Sequence, residues 1–217
     1  MDSGILDPFG DYQTEGYLRN LFKEKNLAIV GRLETAAFED HLRETIRFLR
    51  KLEKINYGHI TETHRRLFSS VYPWAGKDRS ENASHIAIAK GGYNTLFAHP
   101  ADVRRAAEHA LHLASNVTHL REHPGEVFGQ FAYAHPFLEG NGRTILTIYA
   151  ELCRRGGFYI DWEAIQKDAF LLALTDELLK PGSSMDNFLA PYVRTGALSI
   201  HKAAVQLKLN FNREIDQ

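Results

Sequence analysis

HPFLEGNGR, residues His135 to Arg143, packs an imidazole, a carboxylate, two glycines, an amide and a guanidinium into nine positions. Pro136 disfavours helical geometry in the residue before it, so a helix should stop at His135. Gly140 and Gly142 free the backbone to turn its N–H groups inward at the start of the next helix, where unpaired donors and the helix dipole form an anion nest. A phosphate fits there. Arg143 in a first helical turn is electrostatically unfavourable unless an anion compensates it, and its planar fork of donors suits further phosphate oxygens. Asn141 can add a neutral hydrogen bond. Glu139 would repel bound phosphates unless a hard cation such as Mg²⁺ bridges the two, which implies a metal. His135 has the one reference pKa near neutrality in this stretch, so it can accept the proton of a hydroxyl that attacks phosphorus. Taken singly, a His-Pro reads as a helix stop and a Gly-Asn-Gly as a turn. Seven or eight specified positions together arise by chance in a chain of this length on the order of one time in a million or fewer, which favours chemistry over punctuation.

Outward from the motif, helical spacing dominates. Gly125 to Ala134, with Val127, Phe131 and Ala134 on one side, predicts the helix that ends at His135. Thr144 to Arg155 holds Ile145, Ile148, Tyr149 and Leu152, apolar on enough faces to predict a helix buried in the middle of the domain and ended by Gly156-Gly157. Further helices are expected over 35–54, carried by Phe38, Leu42, Ile46, Leu49 and Leu52, and over 59–70, 101–117, 162–179 and 185–195. YPWAGKDR, Tyr72 to Arg79, is a connector in which Trp74 reads as a core anchor. His85 to Pro100 alternates around Gly91-Gly92, as in a short hairpin, and is the one convincing β signal. Residues 1–16 read as an irregular arm and 17–197 as a single, mainly α domain. The tail 198–217 reads either as a helix or as the start of a following module.

Composition narrows the classes. The 217 residues carry 26 Lys and Arg against 27 Asp and Glu, a formal charge of −1, so nothing marks a nucleic-acid or anionic-membrane binder. No apolar run approaches the roughly 20 residues of a membrane span, and the N-terminus lacks the pattern of a secretory signal. A single cysteine, Cys153, excludes an internal disulfide, and within the buried helix it reads as an inert small hydrophobe. His99, His109, His112, His119 and His123 crowd one region, yet their spacing gives no clean metal set.

At these residues the chain resembles the Fic family, whose motif reads His-Pro-Phe, any residue, Asp or Glu, Gly-Asn-Gly-Arg. The resemblance extends over YLRNLFKEKN near residue 17, YPWAGKDR, the hairpin and the helices around the motif. It implies a helical bundle with a central motif-bearing helix and one β-hairpin flap, using ATP and Mg²⁺ to attach AMP to a hydroxyl of a target protein. By that likeness His135 is the base, Glu139 the metal ligand, and Gly140, Asn141, Gly142 and Arg143 the phosphate site. Ile86, Ile88, Lys90, Gly91 and Phe97 of the flap would receive the target as an added strand. The family's second arginine falls at Leu146, so a cation from elsewhere must hold the outer phosphate, or another phosphate donor is used, or the fold binds without turnover. The family's self-restraining pattern, Ser or Thr, three residues, Glu, then Gly or Asn, is absent, so an inhibitor, where one exists, is a separate small antitoxin-like protein. The likeness places the chain in a bacterial cytoplasm, or in a host-cell cytoplasm after delivery by a secretion system.

Overall fold

The computed structural model describes residues 18–84, 96–182 and 184–212, with side chains as far as Lys208. The arm 1–16 and the flap residues Ile86, Ile88, Lys90 and Gly91 lie outside these. Helix α1 (Leu27–Lys51) starts at Asn26, whose side chain accepts from Ala28 N and Ile29 N. It ends where Arg155 donates to the carbonyls of Leu49, Leu52 and Glu53, covering the oxygens that a helix end leaves unpaired. The expected start at 35 was eight residues late. The buried stripe continues back through Glu34 to Val30, and a carboxylate in that row hides the apolar period.

Helix α2 (Tyr57–Phe68) is opened by a capping box between Asn56 and His59. Tyr72 and Trp74 follow, both almost fully buried, with the Trp74 indole donating to Arg19 O at 3.0 Å. The short helix α3 (Arg79–Asn82) is capped by Asp78. After a single 3₁₀ turn come α4 (Val103–Ser115), α5 (Val117–Glu122) and α6 (Pro124–Ala134). Helix α7 (Asn141–Arg155) carries the motif's second half and packs against α1, α2 and α6. Ten of its fifteen residues are buried, so it forms the axis of the core as its apolar faces require. Cys153 is fully enclosed and burial pushes its thiol upward, which keeps it unreactive.

Helices α8 (Lys167–Leu179) and α9 (Met185–Leu189) lie against α6. Phe128, Tyr149, Trp162 and Phe170 join α6, α7 and α8 through edge-on ring contacts of 5.1–6.4 Å, pairs worth about 0.5–1.5 kcal/mol each beyond their buried area. Among the described residues the one sheet is an antiparallel pair, β1 (Phe158–Ile160) with β2 (Val193–Thr195), Tyr159 opposite Arg194. Each strand has three residues, too few for alternation to register, and β2 falls inside the expected helix 185–195, which Pro191 cuts short. The tail from Leu198 contains α10 (Ile200–Asn212), which packs on α1 and α7 and sinks Ala204 and Leu207 into the core. The protein is thus mainly helical. None of the described helices is long and apolar enough to cross a membrane.

Candidate active site

The chain leaves α6 at His135, which holds a left-handed conformation (φ 40°, ψ 58°) uncommon for a residue with a side chain. Buried Arg79 enforces that turn. Its Nε donates to His135 O at 2.7 Å, its Nη2 to Ala98 O at 2.7 Å, and its backbone N–H to Pro136 O at 2.7 Å. The imidazole stacks on Phe97, ring centroids 3.8 Å apart, so the one described flap residue of the expected set lies directly against the expected base.

Phe137 anchors the loop in the core, stacked at 3.9 Å on the ring of His64, itself fully buried. His64 Nε2 donates to Glu139 O at 3.0 Å while Nδ1 accepts from Gly76 N at 2.8 Å, which fixes the neutral tautomer. Burial pulls its pKa down to about 3, against the carbonyl bond that raises it, with Arg143 lowering it further.

The Asn141 Oδ1 accepts from Phe137 N at 2.8 Å and its Nδ2 donates to Phe137 O at 2.6 Å, so both ends of the buried amide brace the loop at the cavity wall. The two glycines divide the work of the turn. Gly140 alone takes positive φ, 76°, while Gly142 sits in the helix as its second residue. The first helical bond runs from Thr144 N to Gly140 O at 3.0 Å, which leaves the N–H groups of Asn141, Gly142 and Arg143 at the open helix start, the backbone nest expected there.

Arg143 lies over the Phe68 ring, 4.8 Å from its centroid, and donates at 2.6 Å to Glu34 on α1. Tyr72 donates its hydroxyl to the other Glu34 oxygen, and burial beside that carboxylate drives the phenol's pKa well up. Glu139, with its side chain 47% exposed, accepts from Gly140 N at 2.8 Å and stands 3.6 Å from Arg143. One exposed carboxylate beside a phosphate nest fits Mg²⁺, which takes one or two protein carboxylates, keeps several waters and finds its other ligands on phosphates.

These groups line a cavity of about 380 Å³. Its lining is polar where Glu34, His135, Glu139 and residues 140–143 contribute and apolar where Phe128, Ala132, Phe170, Leu171, Leu174 and Leu178 do. Leu146 also lines it, and so does Lys167 at the start of α8. Sequence reasoning singled out neither Glu34, His64, Arg79 nor Lys167. Asn26 as a helix cap could have signalled that α1 begins early enough to carry Glu34; His64 gives no local signal.

Comparison with known proteins agrees with this geometry. Residues 54–153 match the Fic/DOC family. Protein adenylyltransferase VbhT of Bartonella schoenbuchensis is 30% identical over 180 residues, covering 76% of this chain and 34% of that protein. Probable protein adenylyltransferase y4lH of Sinorhizobium fredii is 30% identical over 129 residues, 55% of this chain and 64% of that protein. The chain thus spans less than two thirds of either relative. Among solved structures, a Fic domain of a putative cell filamentation protein from Bartonella quintana with bound ADP superposes with TM-score 0.71 at 20% identity, over 88% of this chain and 96% of that one. The BepC protein of Bartonella tribocorum, with bound AMPPNP, gives 0.69 at 19%, over 85% and 95%. At those identities the likeness is one of fold. Motif, architecture and matches coincide, and the chain belongs to the Fic/DOC family.

Proposed function

We propose that the protein transfers AMP from ATP to a hydroxyl side chain of a target protein. The observation that carries this is that the imidazole and the open helix start of residues 135–143 line one cavity with both polar and apolar walls. A cavity of about 380 Å³ is within the range of small-ligand sites, and its mixture of polar and apolar lining suits a nucleotide's phosphates and base. The relatives named protein adenylyltransferase support the same chemistry, and neighbours solved with ADP and AMPPNP support a nucleotide as the ligand.

In this reading the first-turn N–H groups and Arg143 hold the phosphates, and Leu171, Leu174 and their neighbours pack the base. His135 takes the proton of the incoming hydroxyl as its oxygen bonds to the α-phosphorus; the bond from that phosphorus to the bridging oxygen breaks and pyrophosphate leaves. Phe97 keeps the imidazole from swinging out of line. Bound at Glu139, Mg²⁺ would supply charge neutralisation on the phosphates. The target docks along the segment 85–98, which brings its hydroxyl beside His135. Lys167 provides the cation that Leu146 lacks.

The test is transfer from ATP labelled in turn at the α- and γ-phosphate into bacterial and eukaryotic lysates, with mass spectrometry of labelled bands. Label from the α position alone is expected. His135→Ala should lower it by about 10²–10⁴-fold with ATP affinity nearly unchanged. Equal labelling by the variant would remove His135 from the chemistry, and label from the γ position would replace adenylylation with phosphorylation.

A further inference from the structure

Away from the nucleotide cavity, four ionisable side chains converge where α5, α6 and α9 meet. His119 lies in α5 and His123 four residues on, at its C-cap, so both imidazoles point to one side, ring centroids 5.0 Å apart. Glu126 stands in the first turn of α6 and Asp186 in the first turn of α9, sixty residues away in sequence. His123 Nδ1 is 3.1 Å from Asp186 Oδ2, and His119 Nε2 is 3.3 Å from Glu126 Oε2. One donor atom from each of His123, Glu126 and Asp186 lies within 4.8 Å of the other two. The His119 Nε2 is shut off from solvent yet makes no hydrogen bond, because its approach to Glu126 lacks the alignment of one.

We propose that His119, His123, Glu126 and Asp186 form a Zn²⁺ site that ties α9 to the junction of α5 and α6. Two imidazole nitrogens and two carboxylate oxygens make a donor set that a borderline ion accepts in tetrahedral geometry, whereas Mg²⁺ and Ca²⁺ call for oxygen alone. The charges balance as well, since two carboxylates neutralise a divalent cation with both imidazoles uncharged. Part of the site is already rigid. Asp186 Oδ1 accepts from Gly125 N at 2.6 Å and Glu126 N at 3.1 Å, which turns Oδ2 toward His123. Gly125 permits this approach: a Cβ there would stand 2.1 Å from the Met185 carbonyl carbon. Tetrahedral bonds of about 2.0–2.1 Å need donors roughly 3.3 Å apart, closer than the present spread. His123 and Glu126, with side chains 49% and 31% exposed, have the freedom to close it. The four residues escaped the sequence pattern because Asp186 completes the set from a distant helix.

Helix α6 runs from this cluster to His135, about 16 Å for its eleven residues, so the ion would steady the helix that delivers the base without touching the transfer. The proposal stands independently of the AMP-transfer reading. Its test is calorimetric titration of the chelator-stripped chain with zinc alone, beside thermal melts. One ion per chain is expected, with Tm raised by about 5–10 °C at a hundredfold excess over Kd. The double variant His119→Ala/His123→Ala should lose zinc affinity at least tenfold, and Asp186→Asn, which keeps an acceptor for the Gly125 and Glu126 N–H groups, should lose it while remaining folded by circular dichroism. His109→Ala/His112→Ala should bind as the parent does. No saturable uptake below about 100 µM zinc, or uptake undiminished in the double variant or in Asp186→Asn, would leave two plain imidazole–carboxylate pairs and overturn the site.

Discussion

His64 gives the folded protein a defined sensitivity to acid. Its ring is neutral in the fold, donating to Glu139 O and accepting from Gly76 N, and burial holds its pKa near 3. In the unfolded chain the same imidazole has a pKa of about 6.5. Between those values the unfolded state binds the extra proton, so stability rises with pH and falls as acid is added. The contribution is complete about a unit above pH 6.5 and declines on the way to pH 3, approaching one factor of ten per pH unit. From pH 6.5 to 4.5 this one residue should therefore remove about 2 kcal/mol, a large part of a typical domain's roughly 5–15 kcal/mol. His64→Gln separates it from the carboxylates that titrate below. The variant should be less stable at pH 7, by about 1–3 kcal/mol, because glutamine loses the stack on Phe137 and meets the two backbone partners only through a flexible chain. Urea unfolding at several pH values, read by the fluorescence of buried Trp74 and Trp162, measures the gap. It should narrow by about 2–3 kcal/mol between pH 7 and 4.5. Parallel pH profiles, or a folded-state His64 resonance titrating near 6.5, would refute the argument. ATP affinity of the variant should fall too, since the Glu139 carbonyl immediately precedes the nest.

Three other substitutions probe the phosphate end. Gly140→Ala forces a side chain into φ 76° and sets its Cβ 2.6 Å from a ring carbon of fully buried Phe68; a loss of about 2–5 kcal/mol by urea unfolding and at least tenfold weaker ATP binding are expected, and a parent-like melt would contradict the nest. Glu34→Ala removes the acceptor of Arg143 and of the buried Tyr72 hydroxyl, costing about 1–3 kcal/mol in thermal or urea unfolding. Magnesium-ATP should raise the Tm of that variant more than that of the parent, because a phosphate replaces the missing carboxylate on Arg143; an equal or smaller rise would show that Arg143 does not meet the phosphates. Lys167→Met should raise the KM for ATP about 10–150-fold while ADP affinity measured by calorimetry changes little, and equal losses for both nucleotides would place Lys167 away from the γ-phosphate.

Why some of this could be read from the chain and some could not follows from how far each interaction reaches. Helix α7 announced itself because its burial is written at local spacing, and Pro136 marked the end of α6 by a constraint acting on the preceding residue. The motif was legible because the nest of open N–H groups is built almost wholly from consecutive backbone. The supports of the motif come from elsewhere: Arg79 is 56 positions from the carbonyl it holds, His64 is 75 from Glu139, and Glu34 is 109 from Arg143. No periodicity records such pairings, and an isolated polar residue on an apolar helix face looks like noise until the fold closes over it. Asn141 shows the local case: its side chain turns back four residues to the Phe137 backbone, so at that position the sequence specifies the shape of the loop through a short-range contact. Leu146 then has a physical reading as well. In the proposed reading the backbone and Arg143 hold the inner phosphates, so a cation for the outermost one need not lie on α7, and Lys167 lines the same cavity from α8. On that reading the missing motif residue marks a change in which element supplies the charge, and the Lys167→Met comparison of ATP with ADP decides it.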